Sequence, residues 1–121
     1  MRTIKFRGWS IEEGVTTSNW FFGSYVSHPD WEEIVHYDKS KTIIDSIHQK
    51  VDPKTVGQFT GLKDKNGKEI YEGDLVSVLW NHDKFLISFK NGCFVMATVP
   101  LAYYCKECEV IGNMYETPIT S

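Results

Sequence analysis

The sequence predicts a β-rich, mainly antiparallel fold with little helix. Aromatic residues make up 14% of the 121 residues, and aromatic and β-branched residues are enriched in strands. Short runs of these residues alternate with clusters of Gly, Asn and Asp, as strands alternate with turns. Two Asn-Gly pairs, at 66–67 and 91–92, are typical of tight β-hairpins.

The overall composition is that of one globular domain. The chain is 41% apolar and 24% charged, which excludes a disordered or collagen-like chain. No apolar run approaches the ~18 residues of a membrane-spanning helix, and no apolar stretch follows the basic N-terminal residues as in a signal peptide. We therefore expect a cytoplasmic protein with no membrane partner.

The first half of the chain, residues 1–55, is predicted to be a β-rich N-terminal part. Alternating apolar and basic residues predict a strand over 4–9, a more apolar run predicts a second over 19–26, and a third is expected within 31–37. The spacing within 41–51 fits either a helix or a strand, and its β-branched content favours a strand. Asp52 is a predicted N-cap for one helical turn that begins at Pro53 and ends at Gly57.

The second half, residues 56–121, is predicted to be an SH3-like small barrel. Period-2 alternation predicts strands over 74–80, 85–89, 93–99 and 109–116, with a turn at 81–84. Pro100 is expected to end the third of these strands because proline cannot donate to a sheet ladder. Both parts belong to a single predicted domain, 1–121.

Charge and cysteine content limit the partners and cofactors. Thirteen basic and sixteen acidic residues give a net charge of −3, so binding to nucleic acid through clustered cations is not expected. Cys105 and Cys108 have the spacing of half a zinc site, but a structural site needs four ligands. Only Cys93, His82 or a second subunit could complete it. We predict no metal and no cofactor.

No pattern in the sequence predicts catalysis. The four histidines, His28, His36, His48 and His82, lack the spacing of a metal or catalytic motif, and no nucleophile elbow or phosphate-binding glycine loop is present. Glu32 and Glu33 are adjacent, so on a strand they point to opposite faces. We therefore predict no catalytic residue, with an enzyme of unknown type as the third-ranked alternative.

The adjacent pair Phe21-Phe22 predicts a second buried surface. On a strand, one of the two rings faces away from the protein's own core, and either another sheet or a partner chain covers it. We expect a homo-oligomer with Phe21 or Phe22 in the interface. The aromatic residues could also stack on bases, but this requires adjacent basic residues, which the sequence does not concentrate. A nucleic-acid-binding SH3-like module is therefore the second-ranked alternative.

Three segments resemble the YopX family of phage and prophage proteins. They are VGQFTGLKDKNGKEIYEGD at 56–74, IKFRGW at 4–9 and VIGNMYE at 110–116. The family more often has alanine at the position of Gly8. The resemblance implies a β-rich fold, a phage or prophage origin and a bacterial cytoplasmic location, and it implies no reaction. The central segment is rich in Gly, Asn and Asp, which is typical of turns.

Together these observations predict a non-enzymatic accessory protein. We expect a protein-interaction module that self-associates and that could also bind a host or phage protein.

Overall fold

The computed structural model describes residues 4–11, 20–38, 45–78 and 81–115. The predicted fold class is confirmed: these residues are mainly antiparallel β-strand, with three 3-10 turns and no α-helix among them. The chain divides into two compact units, Met1–Gln58 and Phe59–Ser121, called unit 1 and unit 2 below.

Unit 1 contains four strands in the order β4-β3-β2-β1. Their bounds are β1 (Phe6–Trp9), β2 (Trp20–Ser27), β3 (Glu32–Asp38) and β4 (Asp45–Val51). The predicted strand over 41–51 is confirmed from residue 45, and 41–44 lie outside the described residues. A 3-10 turn, η1 (Pro53–Thr55), follows β4, and the Asp52 side chain accepts the N–H of Lys54 as its cap, as predicted. The next strand, β5 (Gly57–Lys63), pairs with β1 through Gly57 and Gln58.

The ends of β1 and β4 meet at one isolated bridge, between Ser10 and Val51. The Gln49 amide donates to the Ser10 hydroxyl over 2.8 Å, and both side chains are buried. A Cβ on Gly8 would lie 2.9 Å from Cβ of Val51, so a side chain at position 8 would force Val51 to shift. Ile34 and Val51, each 1% exposed, form the centre of the packing in unit 1.

Unit 2 contains the end of β5 and six further strands. These are β6 (Glu69–Tyr71), β7 (Asp74–Val78), β8 (Asn81–Lys90), β9 (Cys93–Met96), β10 (Val99–Pro100) and β11 (Cys108–Asn113). The last five form a sheet in the order β10-β9-β8-β7-β11. Two 3-10 turns, η2 (Leu101–Tyr103) and η3 (Cys105–Glu107), connect β10 to β11. The core consists of Ile70, Val76, Val78, Ile87, Met96, Leu101, Cys105 and Cys108.

Unit 2 differs from the sequence prediction in four places. The strand predicted over 109–116 ends at Asn113, and Met114 and Tyr115 form a turn. The predicted SH3-like barrel is not confirmed, because the five-stranded sheet stays open with β10 and β11 at its edges. The predicted turn at 81–84 is wrong: β8 begins at Asn81, which stands opposite Val78. The predicted strand over 93–99 breaks at Ala97, whose φ of +60° is that of a turn, so Val99 and Pro100 form the separate strand β10.

Candidate functional site

A cluster of two imidazoles and one carboxylate lies in unit 1. His28 Nε2 and His48 Nδ1 each lie 3.2 Å from the same oxygen, Oε1 of Glu33. Glu33 is 6% exposed, whereas the side chains of His28 and His48 are 32% and 53% exposed. A buried carboxylate thus lies beneath two histidines that reach solvent.

Strand register brings the three residues together. Glu33 lies on β3 and His48 on β4, where it pairs with Val35, two residues beyond Glu33. His28 begins the turn between β2 and β3, and its N–H donates to the carbonyl of Trp31 over 2.8 Å. The cluster therefore connects the β2–β3 turn to β4 across β3.

The two histidines keep Glu33 ionised. Burial raises the pKa of the Glu33 carboxyl, but the hydrogen bonds from His28 and His48 and their charges outweigh it, so the net pKa is lowered. Because an ionised carboxylate only accepts hydrogen bonds, each imidazole donates from the nitrogen that faces Oε1. This arrangement allows the three groups to take up and release protons.

An aromatic side chain borders the cluster. The rings of His28 and Trp31 stack with centroids 3.9 Å apart and planes 16° apart. The Lys50 Nζ lies 5.8 Å from the centroid of the Trp31 ring, within the range of a cation–π contact. Trp31 nevertheless remains 38% exposed.

The same face of the sheet carries further exposed apolar side chains. Val26 pairs with Glu33, and Glu33 pairs with Lys50, so these three side chains share one face. Phe22 shares it by alternation along β2. Phe22 is 43% exposed and Val26 is 36% exposed. We call this surface, defined by Phe22, Val26, Trp31, Glu33, His48 and Lys50, the Phe22 face.

Of the predicted pair, Phe22 is the more exposed ring, at 43%. Phe21 stands opposite Gly8 and alternates with Phe22, which places it on the side where Gly8 meets Val51. Phe21 is half-buried. That one of the two rings is an interface residue stays a prediction. Phe22 is the stronger candidate because its ring is the more exposed of the two.

The cysteine pair lies in the core of unit 2. Cys105 and Cys108 are both buried, whereas Cys93 is exposed. Burial, together with the nearby Asp64 and Cys105, raises the pKa of the Cys108 thiol to about 11, so at neutral pH it is an uncharged thiol. Within the described ranges, no set of three His, Cys, Asp or Glu side chains is arranged to hold a metal ion.

The central segment of the sequence forms turns held by one carboxylate. Asp64 Oδ1 accepts the N–H groups of Asn66 and Lys68 over 2.8 and 2.9 Å, and Oδ2 accepts the N–H of Val110 over 2.9 Å. Burial raises the pKa of the Asp64 carboxyl, but these bonds outweigh it and the pKa is lowered. Asp64 thus organises the turn and joins it to β11.

The sequence alone did not predict the cluster around Glu33. It correctly placed Glu32 and Glu33 on opposite faces, since Glu32 accepts from Ser27 while Glu33 faces the histidines. His36 and His48 both lie on strands and are exposed. Glu33 and His48 are 15 positions apart, and only the β3–β4 register, which the sequence leaves open, brings them together.

The fold and the site define a small antiparallel β-protein with a partly exposed aromatic and basic sheet face. The family model described as YopX protein matches residues 5–119, so the chain belongs to the YopX family. The chain is also similar to a solved structure, protein EF1440 from Enterococcus faecalis, with 23% identity, a TM-score of 0.55 and 98% of each chain covered. At that identity the likeness shows the fold alone. A comparison with the curated proteins finds no match.

The described part of the chain also contains no helix with the length and hydropathy needed to cross a bilayer.

Proposed function

We propose that this YopX-family protein is a non-enzymatic accessory protein of a phage or prophage, acting in the bacterial cytoplasm, that self-associates through the Phe22 face. The observation that carries the proposal is the exposure of Phe22, Trp31 and Val26, at 43%, 38% and 36%, on one sheet face. Exposed apolar side chains grouped on one surface typically mark interaction sites.

A second copy of the chain is the partner that we propose. The net charge of −3 opposes association only weakly at physiological salt, where charges beyond about 8 Å are screened. The face also offers an aromatic ring and a cation, since Lys50 lies beside Trp31, and aromatic residues are enriched in interface cores. A stable interface of this kind buries at least about 1,000 Å².

Size-exclusion chromatography with light scattering, across micromolar concentrations, tests the proposal. The wild-type chain is expected to show a multiple of its 14.0 kDa mass, and the Phe22→Ser variant is expected to elute as a monomer. Tyr103→Ser is the matched control, because Tyr103 is 75% exposed but lies on η2 in unit 2. A monomeric wild-type chain, or equal effects of the two substitutions, would overturn the proposal.

A second candidate function is binding of single-stranded nucleic acid. The observation that favours it is the position of Lys50 near the partly exposed Trp31 ring, because stacking rings flanked by cations bind bases and phosphates. A mobility-shift titration at low and moderate salt tests it. Binding that weakens with salt and is lost in Trp31→Ala would favour this function over self-association.

A further inference from the structure

The cluster of His28, Glu33 and His48 concentrates three proton-binding groups at one oxygen atom. Both imidazoles approach Oε1 of Glu33 to 3.2 Å. Glu33 itself is buried, so water competes little for that oxygen. The hydrogen bonds join the β2–β3 turn, which carries His28, to β4, which carries His48.

The charge of the cluster changes with each proton. With both imidazoles neutral and the carboxylate ionised, its charge is −1, and with both imidazoles protonated it is +1. Imidazoles ordinarily make this change between about pH 5 and 8. A hydrogen bond from a cationic imidazole to a carboxylate is shorter and stronger than one from a neutral imidazole.

Few other charged groups face Glu33. Lys50 stands opposite Glu33 in the β3–β4 register, and its Nζ lies near Trp31. On β2 the facing partner is Val26, which does not titrate. Asp30 lies exposed in the turn, and Glu32 points to the opposite face toward Ser27. Among the described residues, Glu33 is therefore the acidic group that the two histidines share.

We propose that His28, Glu33 and His48 form a proton-operated clamp that fixes the β2–β3 turn to β4 while Glu33 is ionised and releases the turn on acidification. When Glu33 takes up a proton, two cationic imidazoles remain beside a neutral carboxyl group and repel each other. The clamp does not depend on self-association, so it goes beyond the proposed function.

The direction of the pH response follows from Glu33. Its pKa in the folded chain is lowered from the ordinary value of 4.5. A group with a lowered folded pKa contributes stability that is present above its unfolded pKa and is lost as the pH falls through the folded value. Release is therefore expected below pH 4.5.

An NMR pH titration of the full chain tests the clamp through the Trp31 indole N–H resonance, which the Trp31→Phe variant assigns. Because the Trp31 ring stacks on His28, release of the turn changes the ring-current shift of this resonance. The wild-type chain is expected to show an acid step below pH 4.5 while circular dichroism still reports a folded chain. Glu33→Gln is expected to lose this step, and the control Glu32→Gln is expected to keep it.

A second variant keeps the test informative if Glu33→Gln does not fold. His48→Gln removes one of the two imidazoles that lower the Glu33 pKa, so the acid step is expected to move to higher pH. An acid step that stays unchanged in Glu33→Gln, or in His48→Gln, would overturn the clamp. Equal loss of the step in Glu32→Gln would overturn it as well, because that carboxylate lies on the other face.

Discussion

A single carboxylate holds the turn in the central segment of the sequence. Asp64 is 6% exposed and binds three backbone N–H groups with its two oxygens. Two of these groups lie within the turn, and the third, on Val110, is 46 positions away. The sequence predicted turn chemistry here, but it could not show that one side chain both shapes the turn and attaches β11. The Asp64 bonds thus account for the turn at 64–68 within this segment.

Replacing Asp64 with Asn is expected to destabilise the fold. The Asn amide has only one acceptor oxygen, and its N–H groups would face a backbone N–H donor without forming a hydrogen bond. Each hydrogen bond to a charged acceptor is worth about 1.5–3 kcal/mol. We expect a loss of about 2–3 kcal/mol in the free energy of unfolding, measured by urea denaturation. Asp30→Asn, in an exposed turn, is the control and should change stability little. Equal effects of the two substitutions would contradict this role.

The three thiols are expected to differ in reactivity. The thiolate is the reactive form, and the raised pKa of about 11 keeps Cys108 protonated at neutral pH. Cys105 is buried as well, whereas Cys93 is exposed. Titration with a chromogenic disulfide reagent should modify one thiol per native chain and all three in denaturant. Fast reaction of a second thiol in the native chain would show that the cysteine pair is accessible.

At the scale of elements, the two Asn-Gly pairs form different turns. At 91–92 both residues have positive φ, +52° for Asn91 and +82° for Gly92, as a two-residue type I′ hairpin requires. At 66–67 only Gly67 has positive φ, +81°, because the Asp64 side chain holds the N–H groups of this longer turn. The second pair therefore has the dihedral angles of a type I′ turn, whereas the first pair does not.

The β1–β4 contact predicts a coupled pair of substitutions. A Cβ on Gly8 would come within 2.9 Å of the branched side chain of Val51, and overpacking of this kind costs about 1–3 kcal/mol. Gly8→Ala should therefore destabilise the chain, and its cost should shrink in the Val51→Ala background. Urea denaturation of the four chains gives the coupling energy. Additive effects would show that the two positions do not contact each other.

For the whole molecule, the sequence predicted the class of fold and the family but not the site. Alternation of apolar and polar residues was sufficient to predict most strands, because it depends only on local spacing along the chain. It could not reveal the cluster at Glu33, which depends on how β3 and β4 align, nor the open sheet of unit 2, which depends on which strand edges meet. The polar run at 81–84 was interpreted as a turn because exposed strand residues and turn residues have similar composition.

The whole chain is expected to lose stability in acid. Glu33 in unit 1 and Asp64 in unit 2 both have pKa values lowered by hydrogen bonds that outweigh burial. Their stabilisation is present above their ordinary pKa values, near 4, and is lost as the pH falls through the lowered ones. Denaturant unfolding should therefore give a smaller free energy at pH 3 than at pH 7. In Asp64→Asn this difference should be smaller, and an unchanged difference would contradict the assignment.

The bond between Asp64 and Val110 also bears on the order of events during synthesis. On the ribosome, Asp64 is synthesised 46 residues before its hydrogen-bond partner Val110. β7 is likewise synthesised before β11, the strand with which it pairs. Each β-strand of unit 1, by contrast, has its neighbours within the first 58 residues. A nascent chain can therefore assemble the sheet of unit 1 early. Oδ2 of Asp64, by contrast, is expected to stay solvated until β11, which carries Val110, has left the exit tunnel.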